Sequence, residues 1–268
     1  VQVGVAEQSM ASVASGMALS GKIPFMASYA MFSPGRNWEQ IRTTIAYNNA
    51  NVKIIGSHAG VSVGPDGATH QALEDIALTR VLPGMTVLVP CDAIEAKKAT
   101  LAAALHTGPL YIRLAREKTP IVTTADSPFT IGKAEIYFVG ESAEKNQEKK
   151  IGIIACGTVL HNALLAAKKL NDEGIATSVM NLATIKPLDE EAVLAFASEH
   201  QAIITVEEHQ IAGGMGSAIA ELLSEKHPMK VVRIGVRDLF GQSGEPDELI
   251  KHYGIDVESI YETAKKLV

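Results

Sequence analysis

The feature that most constrains this chain is an alternation. Short, continuously apolar, β-rich runs at residues 23–28, 52–57, 86–89 and 110–114 are separated by stretches of helical character at 7–19, 38–48, 70–82 and 93–106. In the third of these helical stretches Leu73, Ile76, Ala77 and Val81 fall on one face at helical spacing. Strands that are apolar throughout are buried on both faces, and strands joined through helices run parallel. The first part is therefore expected to be α/β, a mostly parallel sheet covered by helices. After residue 117 the rhythm breaks. Pro120, Pro128 and the polar run 141–150 read as a linker, then a hairpin with an exposed, charged turn. A second alternating unit follows, with strands at 151–156, 176–180, 202–206 and 230–234. Its helices are expected at 159–171, 189–200 and 214–226, with two short ones at the C-terminus; Leu160, Ala163, Leu164 and Ala167 make a buried stripe. At about 150 residues per domain, 268 residues suit two modest domains.

Composition narrows the function classes. With 24 Lys+Arg against 30 Asp+Glu the net charge is −6, which argues against nucleic acid or an anionic membrane surface as the main partner. A hydrophobic content of 47% supplies a core and excludes global disorder. No apolar run approaches the ~18 residues of a membrane span, and the N-terminus lacks a basic-then-apolar signal pattern. Cys91 and Cys156 lie far apart, each just after an apolar run. That placement fits buried thiols in a reducing compartment, the cytoplasm, better than a disulfide framework. The chain opens at Val1 inside what reads as a finished motif, so it is expected to be the back part of something longer.

In open parallel sheets, ligands bind beyond the carboxyl ends of the strands. The loop 57–70 follows such a strand and carries Gly60, Gly64, Gly67, a Pro-Asp-Gly turn, two imidazoles (His58 and His70) and the carboxylate of Asp66. It reads either as a loop capped by Asp66 or Thr69 with solvated histidines, or as a polar-substrate site. The spacing His58-x7-Asp66-x3-His70 matches no standard zinc pattern and no Cys is nearby, so no metal site is expected. Glu7 opens the first helix, where a carboxylate is favoured by ~0.3–1 kcal/mol whatever else it does. Tyr29 and Phe32 end the next strand, as ordinary rim packing or as faces for a flat ligand. Arg116 and Arg36 are surface ion-pair partners or phosphate grips. The run Gly213-Gly214-Met215-Gly216 opens a helix after a strand but lacks the G-x-G-x-x-G spacing of a dinucleotide site.

Several segments carry a joint resemblance. Val3-Gly4-Val5-Ala6-Glu7-Gln8-Ser9-Met10, Tyr29-Ala30-Met31-Phe32, Ser57-His58 through Asp66-Gly67-Ala68-Thr69-His70-Gln71, and Leu114-Ala115-Arg116-Glu117 occur in this order. They continue with Ile154-Ala155-Cys156-Gly157-Thr158 and Glu207-Glu208-His209-Gln210-Ile211-Ala212-Gly213-Gly214-Met215-Gly216. Over nearly its whole length the chain resembles the C-terminal half of transketolase. The resemblance implies a pyrimidine-binding domain at residues 1–125, without its opening strand, and a transketolase C-terminal domain at 126–268. It implies thiamine diphosphate as cofactor and transfer of a two-carbon glycolaldehyde unit from a ketose phosphate to an aldose phosphate, in the pentose phosphate pathway. Glu7 matches the glutamate that hydrogen-bonds N1′ of the aminopyrimidine and promotes loss of the thiazolium proton; Tyr29 and Phe32 match the aromatics around that ring. By the same likeness His58 and Arg116 hold the sugar phosphate, Asp66 contacts the hydroxyl beside the reacting carbon, and His70 handles protons on the donor's hydroxyls.

The chain also departs from the family's pattern. Ala59 stands where Asp is frequent, Pro65 where Glu is, and the segment 33–36, which carries Arg36, is one residue longer than in many relatives. The Gly-Asp-Gly…Asn segment that holds the diphosphate and Mg²⁺ does not occur. The implied partner is therefore a diphosphate-binding N-terminal subunit or domain carrying the Mg²⁺ ligands, with an α2β2 assembly in which the second domain aids dimerisation. Other thiamine enzymes remain as alternatives: a 1-deoxyxylulose-5-phosphate synthase, or the β subunit of a 2-oxo acid dehydrogenase, against which the Asp66–His70 loop argues. A non-catalytic scaffold is the remaining one, and it would need none of Glu7, His58, Asp66, His70 and Arg116.

Overall fold

The computed structural model describes residues 1–140 and 150–268. Among these the chain forms two sheets. The first uses β1 (Phe25–Tyr29), β2 (Lys53–Ser57), β3 (Thr86–Leu88) and β4 (Leu110–Arg113), in the order β1-β2-β4-β3, all parallel. The fully apolar runs explain this. Ile54, Val87, Leu110 and Ile112 are all solvent-free because helices pack on both faces. Those helices are α1 (Glu7–Leu19), α2 (Trp38–Gln40, continuing as a π-helix over Ile41–Ala46), α3 (Asp75–Arg80) and α4 (Ala93–Leu105). Small residues Ala11, Ala14 and Ser15 make the buried face of α1, and Ser15 Oγ donates to the Thr44 carbonyl of the π-turn at 2.6 Å.

The second sheet has the order β10-β9-β6-β7-β5, from β5 (Glu135–Phe138), β6 (Ile151–Ala155), β7 (Thr177–Asn181), β9 (Ala202–Gln210) and β10 (Lys230–Val236). It is parallel except for β5. Around it pack α5 (Leu160–Asp172), α6 (Glu190–Ser198), α7 (Met215–Lys226), α8 (Pro246–His252) and α9 (Val257–Lys265). The two units interlock. Strand β8 (Thr184–Lys186) leaves the second unit and pairs antiparallel with β3, extending the first sheet to five strands. Lys186 Nζ then donates to the carbonyls of Arg80 and Leu82 at 2.8 and 2.6 Å. Both cysteines are free and buried.

Four expectations are corrected. The helix expected over 70–82 is only α3: Leu73 precedes it and packs with the second unit's core, Ile76 packs with the first, and Val81 is exposed. The apolar positions therefore serve two different cores rather than one helical face. The expected hairpin does not form among the described residues, because β5 pairs with β7 and not with β6; its charged turn, at 141–149, lies outside them. Strand β9 runs on to Gln210 through three buried polar residues, Glu207, Glu208 and His209, instead of ending at 206. In α5 the stripe is Leu160, Ala163, Ala166, Ala167 and Leu170, with Leu164 half-buried.

Candidate active site

Tyr29, Ser57 and Arg113 are the last residues of β1, β2 and β4, so the segments that follow them emerge together at the carboxyl edge of the first sheet. Glu7 begins α1 and is 7% exposed. Its Oε1 accepts from Ser28 Oγ at 3.3 Å, and its backbone carbonyl accepts from Asn37 Nδ2 at 3.0 Å. Its Oε2 is buried without a hydrogen-bond partner; the nearest charge is Arg36 Nη1 at 3.7 Å. Arg36 in turn lies over the Phe32 ring, 5.6 Å from the centroid. The carboxylate, the guanidinium and the aromatic rings are thus contiguous.

Tyr29 lies flat on His58, with ring centroids 3.8 Å apart and planes at 9°, so one face of the tyrosine is already covered. Phe32 meets His70 edge-on at 5.4 Å and 88°. His58 occupies left-handed backbone (φ 54°), and its Nδ1 lies 3.1 Å from Ser57 Oγ. Burial first, and then the neighbouring Arg116 charge, lower the His58 pKa, and Asp66 and Glu117 only partly oppose this. His70 Nδ1 lies 2.9 Å from Thr69 Oγ1.

Arg116 pairs with Asp66 at 3.2 Å and with Glu117 at 3.5 Å, and its Nη1 donates to the Val63 carbonyl at 2.6 Å. Of the two readings of Arg116, the ion pair is the one seen, and its partner Asp66 is another candidate residue. Asp66 sits in a 3-10 turn (Val61–Asp66) flanked by Gly60 and Gly67 at φ 93° and 73°. Glu7 and Ser28 border one cleft of about 380 Å³ with the segment 1–4, and Arg116 borders another of about 510 Å³ with Cys91, Asp92 and Thr158. Among the described residues no group of three or more His, Cys, Asp or Glu is placed to hold a metal ion.

Residues behind this edge carry no motif of their own. Asn37 is fully buried, and its Nδ2 also donates to Ser33 Oγ. Arg113 joins Asp75 at 2.9 Å and donates to the Glu208 carbonyl, and Tyr111 Oη donates to the same Asp75 oxygen at 2.7 Å. A polar residue inside an otherwise apolar strand is the only trace that Arg113 leaves in the sequence. At the Gly213–Gly216 run the Glu207 carboxylate accepts from the backbone N–H groups of Met215 and Gly216 at 2.7 and 2.8 Å. The anion position of that helix is filled from within, which disposes of a dinucleotide there.

The comparisons with known proteins cover both units. The family model "transketolase, pyrimidine binding domain" matches residues 1–122, and "transketolase, C-terminal domain" matches 140–260. The 6-deoxy-6-sulfo-D-fructose transketolase subunit of a Clostridium species is 39% identical over 100% of this chain and 80% of its own length. The chain belongs to the transketolase family. An apulose-4-phosphate transketolase subunit of Phocaeicola vulgatus is 38% identical over 100% of this chain and 83% of its own. A solved split-gene transketolase, described as an inactive β4 tetramer, superposes with a TM-score of 0.89 at 42% identity, covering 97% of this chain and 81% of that one.

Proposed function

We propose that this chain is the C-terminal subunit of a split, thiamine-diphosphate-dependent transketolase, moving a two-carbon glycolaldehyde unit from a ketose phosphate to an aldose phosphate. The observation that carries the reading is the buried Oε2 of Glu7, an acceptor with no hydrogen-bond partner, joined to Phe32 and Tyr29 through Arg36. An aminopyrimidine fits that setting: a flat ring for the aromatics and a nitrogen for the carboxyl. When bound, the cofactor supplies the carbon nucleophile that carries the two-carbon unit between sugars.

The chain's own residues do the rest. Glu7 would share a proton with a ring nitrogen at Oε2, and the half-buried Tyr29 and Phe32 would flank the ring. His58 and Arg116 hold the sugar phosphate, Arg116 releasing Asp66 to a substrate hydroxyl. His70 passes protons on the donor's hydroxyls. Thiamine diphosphate's Mg²⁺ and its ligands belong on the partner, a diphosphate-binding N-terminal subunit, in an α2β2 assembly. We place the domain division at 125/126, with the pentose phosphate pathway and the cytoplasm as setting. No helix among the described residues is long and apolar enough to cross a membrane.

Two relatives named for sulfofructose and apulose phosphate make the sugar itself the open variable, within anionic ketoses. The test is a coupled assay of the chain mixed with the diphosphate-binding subunit. Xylulose 5-phosphate with ribose 5-phosphate is expected to turn over, and pyruvate with glyceraldehyde 3-phosphate is not. Turnover of the second pair alone would move the chain to 1-deoxyxylulose-5-phosphate synthase chemistry.

A further inference from the structure

The loop that carries His58, Asp66 and His70 is seated against the second domain. Ser62 N–H donates to Glu208 Oε1 at 2.5 Å, Thr158 Oγ1 donates to Glu208 Oε2 at 3.4 Å, and Arg113 Nη2 donates to the Glu208 carbonyl at 2.7 Å. At the far end of the loop, Gln71 Nε2 is within reach of the Val61 and Gly64 carbonyls and, in the second domain, the Gln242 carbonyl at 2.9 Å. Each left-handed glycine of the loop turns its bare side to this seat. A Cβ on Gly60 would run into the Glu208 carboxyl, one on Gly67 would come within 2.6 Å of Ser243 Oγ, and one on Gly64 would press on Gly244 and Pro246. The backbone of the loop is buried where the second domain touches it, while Asp66 and Thr69 are exposed on its front.

We propose that Glu208 is a positioning residue for this loop, and that the second domain holds the sugar-facing side chains in place from behind. Glu208 is 3% exposed, and burial raises its pKa against the opposing Arg113 charge and the Ser62 N–H. Among the described residues its carboxyl is the only side-chain acceptor of the Ser62 N–H. Losing it would free the turn at its start, four residues from His58 and four from Asp66. A displacement of about 1 Å at reacting groups costs on the order of a hundredfold in rate.

The structural arm of the test is hydrogen exchange of the chain across residues 58–70. Glu208→Leu, which keeps the volume and removes the acceptor, is expected to speed exchange there by about 10–100-fold. Glu208→Gln, which keeps one carbonyl oxygen for Ser62, is expected to recover protection. Unchanged exchange in a folded Glu208→Leu chain would overturn the proposal. Should that variant fail to fold, Gln71→Leu releases the other end of the seat, and exchange at 61–64 must rise or the proposal fails.

The turnover arm rests on the transketolase reading. In the reconstituted complex Glu208→Leu is expected to lower kcat/KM for the sugar by about 10–100-fold, with the cofactor concentration at half-activity within twofold of wild type. An equal loss of cofactor and sugar affinity would mean general destabilisation and would sink the positioning role. Exchange reads the seat whether or not the wild-type complex turns over a sugar, so failure of the functional reading and failure of this one are told apart.

Discussion

A carboxylate oxygen that is out of water and without a donor costs on the order of 1–3 kcal/mol. Glu7 Oε2 carries that cost in the free chain, since Arg36 stands 3.7 Å away with its side chain 52% exposed. Burial there is sensible when a ligand's ring nitrogen arrives to share a proton with it. Glu7→Gln keeps the shape and the Ser28 contact but cannot take up or hold the proton. Activity of the assembled enzyme is expected to fall by about 10²–10⁴-fold, while urea unfolding moves by less than about 1 kcal/mol; activity within twofold of wild type would remove Glu7 from the chemistry. His58 and His70 stood out as candidates because they lie in the glycine-rich loop that follows a strand end, and Glu7 did so only through the family resemblance. Ser28, Asn37 and Glu208 did not, because their meaning lies in partners that the fold supplies: Asn37 reaches back 30 residues and Glu208 reaches 146.

At the scale of elements, length and apolar continuity decided what could be read. The strands at 53–57 and 110–113 and the helix at 7–19 announce themselves, whereas β8 has three residues and exists because β3 offers an edge. Helix α4 shows how one element can be fixed from two directions. Asp92 caps it by accepting from Glu95 N–H at 2.8 Å, and also takes Val122 N–H at 2.8 Å, Thr123 N–H at 2.6 Å and Thr123 Oγ1 at 2.8 Å. Burial pushes its pKa up, but these donors win and hold the carboxyl below its ordinary range. A depressed folded-state pKa means the stabilisation is complete above the unfolded value, near 3.8, and drains away as pH falls through the lower folded value. Asp92→Ala is expected to cost about 2–4 kcal/mol in urea unfolding at pH 7. The gap to wild type must narrow below about pH 4; a gap that stays constant there would assign the loss to packing rather than to the charged cap.

At the scale of the whole molecule, the candidate residues lie along one edge but not inside one cavity. Glu7 and Arg116 border separate clefts, and Asp66 and Arg116 are exposed. A small-molecule site ordinarily encloses most of its ligand, so on the proposed function this edge is half a site, and the cations for a diphosphate would stand on the partner's wall. On that reading the lone chain's own cofactor contacts are at the pyrimidine end. Each charge-assisted hydrogen bond to the diphosphate is worth about 1.5–3 kcal/mol, so two of them separate lone chain from complex by about 10²–10⁴ in Kd. Titration calorimetry should find thiamine diphosphate with Mg²⁺ weaker on the lone chain by at least that lower figure. Thiamine itself, lacking the diphosphate, should bind the lone chain about as well as the full cofactor does. Equal affinity of thiamine diphosphate for lone chain and complex would mean that this chain closes the site alone, and the division of labour between two subunits would have to be abandoned.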